Sequence, residues 1–207
     1  QLKDLEVVEK KIEKVKRIAK TGNKEASNEL EILKNLKLYL ESGNSVRNMV
    51  DIDDEESLYI DSLQLISAKP VLYVCNVDEN SVIDGNIYVE KVKEAVLSEN
   101  ADVLVLAVGI EAEINEFDDL NERQMFLQDI GLDEAGSAKL IRTVYKLLNL
   151  QTFFTAGKKE VRAWTVPVGC LAPNAAGVIH SDFEKGFIRA EVIKFDDLIE
   201  YGSQLKV

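Results

Sequence analysis

Asn76 and Glu79 stand three residues apart, directly after the apolar run Val71-Leu72-Tyr73-Val74-Cys75. A side-chain amide both donates and accepts hydrogen bonds, and a carboxylate accepts them. In open α/β sheets ligands bind outside the carboxyl ends of the strands. Placed there, Asn76 could brace neighbouring loops, and the following backbone with Glu79 could address the edge of a base. The same residues also suit an Asn that caps the next turn beside solvated acids, and on the spacing alone that is the expected role. A second apolar run, Val103 to Val108, leads into Gly109, where a backbone without Cβ could approach a flat ring closely. His180 precedes Ser181-Asp182. It could serve as a base with Asp182, but no nucleophile pattern accompanies it, so a local hydrogen bond is its expected role.

Composition narrows the chemistry further. The 207 residues carry 37 acidic and 25 basic side chains, a net charge of −12. That balance argues against a dedicated DNA-binding protein, which needs a concentrated cationic face. One His and two Cys cannot supply a His-rich zinc site, a zinc ribbon or a disulfide framework. The opening QLKDLEVVEKK has no apolar core of a signal peptide, and Val103–Ile110 is far shorter than the ~20 residues of a membrane span. A cytoplasmic protein with reduced thiols is expected. Cys75 reads as a small core residue and Cys170 as a loop residue, and neither has a visible electropositive setting for thiolate activation.

Several elements must position these groups. Leu2, Leu5, Val8, Ile12, Val15 and Ile18 recur at three- and four-residue steps, as do Ala26, Leu30, Leu33, Leu36 and Leu40. Thr21-Gly22-Asn23 separates the two stripes, which predicts an antiparallel helical hairpin with a coiled-coil seam. An acidic run, Asp51 to Glu56, suits the positive end of a helix; helix is expected over Ser57–Ile66. After Lys69-Pro70 come two buried strands, Val71–Cys75 and Val103–Val108. Helices are expected at Ile87–Leu97, Glu122–Leu127 and Ala138–Leu148. This alternation predicts a doubly wound α/β sheet. From Gln151 a smaller α+β module is expected. It has strands at Thr152–Thr155, Val161–Thr165 and Phe187–Ile193, Gly/Pro-punctuated chain between the last two, and a helix at Phe195–Tyr201. Lys158, Lys159, Arg162, Lys185, Arg189 and Lys194 gather in this module, against the acidic whole, with Phe153, Phe154, Trp164 and Phe187 interleaved. The cations suit an RNA or ribosome surface or plain solvation; the aromatics suit a small core better than stacking platforms.

Guanine-binding proteins place N-K-x-D where this chain has Asn76-Val77-Asp78-Glu79, so Val77 and Glu79 remove guanine-favouring features. LYVCNVDE (72–79), VGIEAEI (108–114), LIRTVYKLLNLQTFFTAGKKEVRAWTVPVG (140–169) and APNAAGVIHSDFEKGFIRAEVI (172–193) follow the helical arm in this order. With these segments the chain resembles the Obg-like ATPases of the YchF type, P-loop proteins related to translation factors, over essentially all 207 residues.

The resemblance implies a multidomain α/β and α+β protein. Residues 1–66 would be the helical coiled-coil insertion. Residues 67–149 would be the C-terminal half of the P-loop nucleotide-binding domain, and 150–207 a β-grasp, ubiquitin-like TGS domain, cut short. It implies an ATPase that prefers ATP to GTP, with Asn76, Val77 and Glu79 at the base. Val108 and Gly109 would lie in a second base-contacting loop, where the family often has Ser-Ala. Lys158, Lys159, Arg162, Lys185 and Arg189 become candidate RNA or ribosome contacts. No G-x-x-x-x-G-K-[ST] occurs in the sequence. The phosphate loop, Mg2+ ligands and catalytic residues are therefore expected in a preceding half, and this chain alone should neither bind ATP nor hold a metal. The alternative is a non-catalytic ribosome- or RNA-binding module built from the TGS segment and the arm. No DNA or membrane partner is expected, and a monomer is.

Overall fold

The computed structural model describes residues 1–50, 52–99, 101–157 and 159–202. The chain divides into two compact units, Gln1–Val144 and Tyr145–Val207.

The first unit opens on helices α1 (Leu2–Ala19) and α2 (Lys24–Glu41). Between them Gly22 takes φ +85°, a left-handed value that disfavours a Cβ. The Asn23 side chain then accepts the Ala26 N–H at 2.9 Å and starts α2. The helices pack through Val8, Val15, Ala26, Leu33, Leu36 and Leu40, all buried, which follows the apolar stripes. The stripe frays at its ends, where Leu2 and Ile18 are exposed. A 3-10 turn, Val46–Asn48, and α3 (Asp54–Ser62) add Val46 and Ile60 to the same core. Asp53 accepts the Glu56 N–H at 2.8 Å, so the acidic run does begin a helix. That helix starts and stops earlier than Ser57–Ile66, however. Gln64 turns left-handed at φ 53° and a separate 3-10 turn covers Ile66–Ala68.

Asp4 explains that early stop. It is 1% exposed, and its carboxylate accepts the N–H of Ile66 at 2.8 Å and of Ser67 at 2.7 Å. Burial pushes its pKa up, but the Ser67 hydroxyl and the Ser67 and Ile66 amides outweigh this and hold it below the usual aspartate value. Beside it, Arg47 donates from Nη2 to Glu99 at 2.7 Å and from Nη1 to the Ser67 carbonyl at 3.4 Å. Tyr73 donates its hydroxyl to the same Glu99 oxygen at 2.9 Å. The Arg47 hydrogen bond, then that from Tyr73, keeps the Glu99 pKa low. This polar chain ties the base of the helical hairpin to the first strand.

The α/β part contains β1 (Leu72–Asn76), the 3-10 turn Glu79–Ser81, α4 (Ile87–Val96), the 3-10 turn Leu97–Glu99 and β2 (Asp102–Leu106). It continues through α5 (Val108–Ile114), α6 (Leu120–Asp129) and α7 (Gly136–Leu147). β1 and β2 pair in parallel, Leu72 with Asp102 through Asn76 with Leu106. The expected doubly wound sheet is thus two parallel strands among the described residues. With no further strand neighbour among the described residues, Val74 on β1 is exposed. Ala107, Ile110, Ile114 and Leu127 form a second buried cluster.

The second unit pairs β3 (Leu150–Ala156) with β4 (Val161–Pro167) in an antiparallel hairpin. Helices α8 (Ala172–Ile179), α9 (Ser181–Lys185) and α10 (Phe195–Tyr201) follow. The Gly/Pro-punctuated stretch folds as α8 and α9 rather than loop; Pro173 falls in the first turn of α8, where its missing N–H costs nothing. Phe187–Ile193 is not a strand. Its backbone has no ladder partner among the described residues, and Ile188 and Val192 are exposed. Apolar β-branched content alone does not make a strand without a neighbour to bond. Among the described residues no helix is long and apolar enough to cross a membrane.

Candidate functional site

The two parallel strands end side by side at Asn76 and Leu106. Just beyond, Val77 donates its N–H to the Leu106 carbonyl at 2.9 Å. Asn76 reaches across and accepts the Val108 N–H on its Oδ1 at 3.0 Å. That amide belongs to the first turn of α5, where helix N–H groups lack intrahelical partners. Ala107 in the cap position has no side chain to serve it. The turn after Asn76 is capped instead by Asp78, whose Oδ1 accepts from the Ser81 N–H and hydroxyl at 3.1 and 3.0 Å. Asn76 is therefore a brace between strand ends rather than a cap of its own turn.

Glu79 opens the short 3-10 turn with an exposed side chain. Its Oε1 lies 4.0 Å from where a Cβ on Gly109 would stand. Asn76, Val77, Glu79, Val108 and Gly109 thus converge at one strand edge, with the Val108 side chain and Gly109 open to solvent. One local expectation is corrected: Val108 and Gly109 form the first turn of α5, not a loop. Ile110 and Ile114 sit four apart and bury with Ala107 and Leu127, and this helical spacing draws Val108 out of the strand.

Glu111, one turn further along α5, was not singled out by its sequence context. Its carboxylate accepts the Gly136 N–H at 2.5 Å and the Ser137 N–H at 3.0 Å, holding the start of α7. A Cβ on Gly136 would stand 3.0 Å from Glu111 Oε1 and 3.2 Å from Leu106 Cβ, so glycine permits this approach. The sequence carried no signal for this contact, because Ser137 reads as a local cap for a helix starting at Ala138.

In the second unit the candidate cations do not form one constellation. Lys158 lies outside the described residues. Lys159, Lys185 and Arg189 are exposed, and no ion pair engages them among the described residues. Arg162 stacks its guanidinium over the Trp164 ring at 4.1 Å, and Trp164 donates its indole N–H to the Thr155 hydroxyl at 2.9 Å. Phe154 stacks on Phe195 at 6.0 Å. His180 caps α9 by accepting the Asp182 N–H on Nδ1 at 3.1 Å, the local role expected of it. Cys75 and Cys170 are free thiols, each partly buried. Among the described residues no group of three His, Cys, Asp or Glu is placed to hold a metal.

Comparison with known proteins gives a consistent set. The family described as "YchF-GTPase_C: Protein of unknown function (DUF933)" matches residues 150–207. The chain is 46% identical to the "Ribosome-binding ATPase YchF" of Pasteurella multocida, over 98% of this chain and 55% of that protein. It is 47% identical to the protein of the same name from Bacillus subtilis, over 97% and 55%. It is 36% identical to "Obg-like ATPase 1" of Xenopus laevis, over 100% and 53%. Among solved structures it superimposes on that of the "Schizosaccharomyces pombe YchF GTPase" with a TM-score of 0.85 and 33% identity, over 99% of this chain and 56% of that one. The chain spans about half the length of the curated relatives it matches.

Proposed function

Because the chain belongs, over the segment it spans, to the YchF family of Obg-like ATPases, we propose that it is the base-recognising part of a cytoplasmic ATPase that works on ribosomes. The observation that carries this reading is the Asn76–Val108 hydrogen bond, which gathers the N-x-x-E segment and α5 at the carboxyl edge of two parallel strands. Val77 spends its N–H on Leu106, so its carbonyl is the main-chain group left for a base. A carbonyl acceptor suits the amino group of adenine, whereas guanine presents an oxygen acceptor at the equivalent position. Glu79 stands where guanine-binding proteins place the aspartate of N-K-x-D, with a side chain one methylene longer, so the preference for ATP rests on the Val77 carbonyl. The residues present fit the base. The triphosphate and Mg2+, which supply the hydrolytic chemistry, are assigned to a P-loop half of the parent protein. Residues 1–66 are read as its coiled-coil arm and 150–207 as a TGS-type module.

Calorimetric titration of the full-length protein tests this. ATP is expected to bind more tightly than GTP, and Asn76→Ala to weaken ATP by about tenfold, roughly 1.4 kcal/mol. This chain alone is expected to bind neither nucleotide. Tighter binding of GTP, or micromolar ATP binding by the chain alone, would refute the assignment.

A second reading, ribosome docking through the last module, draws on the exposed Lys159, Arg162, Lys185 and Arg189 in an otherwise acidic chain. Charge reversal at Lys159 and Arg162 together is expected to reduce co-sedimentation of the full-length protein with ribosomes several-fold at low salt, with a smaller difference at high salt. Equal sedimentation of the variant and the unaltered protein across the salt series would remove these cations from the interface.

A further inference from the structure

We propose that Glu111 is a positioning residue for base recognition, acting through α5 rather than by touching the nucleotide. The inference rests on the reading of Asn76, Val77, Glu79, Val108 and Gly109 as the base site. Helix α5 is short, seven residues, and its first turn presents Val108 and Gly109. Three attachments fix it. Asn76 holds the Val108 N–H. Ile110 and Ile114 anchor one side in the apolar cluster. Glu111 holds the other end of the first turn by accepting two amides of α7 with its two oxygens.

Each attachment removes a different freedom. The apolar contacts are non-directional and leave the helix able to roll. A single hydrogen bond from Asn76 fixes one point. The two-point carboxylate contact fixes the rotation, because both oxygens must meet amides that α7 holds in place. Charge-assisted hydrogen bonds are also about twice as strong as neutral ones. Gly136 lets the carboxylate come this near, since any side chain there would meet Glu111 and Leu106. Loss of Glu111 leaves two helix-start amides unpaired and frees α5 to rotate, which moves Val108 and Gly109 relative to Glu79. Base affinity then falls, while a phosphate site elsewhere in the parent protein is untouched.

The test titrates the full-length protein with ATP and with inorganic tripolyphosphate, and follows hydrogen exchange of the Val108 amide. Glu111→Ala is expected to weaken ATP about five- to tenfold and to leave tripolyphosphate unchanged. It should also speed Val108 exchange. Glu111→Gln keeps one acceptor oxygen and is expected to fall between, so it carries the test should the alanine variant not fold. Unchanged ATP affinity in a folded variant, or equal loss of both ligands, would overturn the proposal. Should the unaltered protein bind no ATP, the ATPase reading fails instead. The Val108 exchange rate then still judges Glu111: unaltered exchange in the variants would show that it does not hold α5.

Discussion

Replacing Asp4 by alanine is expected to destabilise the first unit by about 2–4 kcal/mol, read as a lower urea midpoint with an unchanged slope. The side chain is 1% exposed and serves two backbone amides, those of Ile66 and Ser67. Alanine leaves the buried Ser67 N–H and the partly buried Ile66 N–H without their acceptor, and an unsatisfied buried donor costs more than an ordinary hydrogen bond contributes. The hydrogen bonds that depress the Asp4 pKa also set the pH dependence. A carboxylate with a lowered folded pKa contributes stability that is fully present above its unfolded value, about 3.9. That contribution fades as the pH falls below this value through the folded pKa. The unaltered protein should therefore lose stability to acid more steeply than Asp4→Asn, which keeps one acceptor oxygen but cannot titrate. Parallel pH profiles for the two proteins would show that Asp4 does not carry this linkage.

Leu33→Ala is expected to cost about 2–5 kcal/mol, the range for a buried leucine whose cavity collapses only in part. Leu33 is fully buried in the hairpin core with Val8, Val15 and Leu36. Leu38, on the same helix, is 62% exposed. Leu38→Ala therefore serves as the control and is expected to stay within about 0.5 kcal/mol of the unaltered protein. Thermal and urea unfolding of the pair measures the difference. Similar losses in both would mean that the exposed face of α2 is buried in solution.

Local rules explain where the sequence was readable. The hairpin repeats a 3.6-residue period over two long stretches, so its seam at Val8, Val15, Leu33, Leu36 and Leu40 follows from spacing alone. Asp53 and Asn23 are side-chain caps acting within three residues, and α10 ends at Gly202, left-handed at φ 71°. Reading failed where a long-range neighbour decided the outcome. Phe187–Ile193 has strand composition but no described strand beside it. Val108 lies in an apolar run that reads as strand, yet Ile110 and Ile114 bury on one face and turn it into helix.

The site divides in the same way. The sequence by itself determined that Asn76 and Glu79 follow an apolar strand three residues apart, and that Val77 and Glu79 replace guanine-favouring residues. Residue type and chain order suffice for that much. Only the tertiary structure decided that Asn76 bonds Val108, 32 residues on, and that Glu111 bonds Gly136 and Ser137, 25 and 26 residues on. It likewise decided that Asp4 is buried against amides more than 60 residues away. A carboxylate in a charged, Lys/Glu-rich helix reads as solvated, because the sequence carries no mark of which distant backbone donors will be left unpaired. Those donors are exposed or satisfied only when the chain closes on itself, and that closure is what turns Asp4 and Glu111 from surface charge into structure.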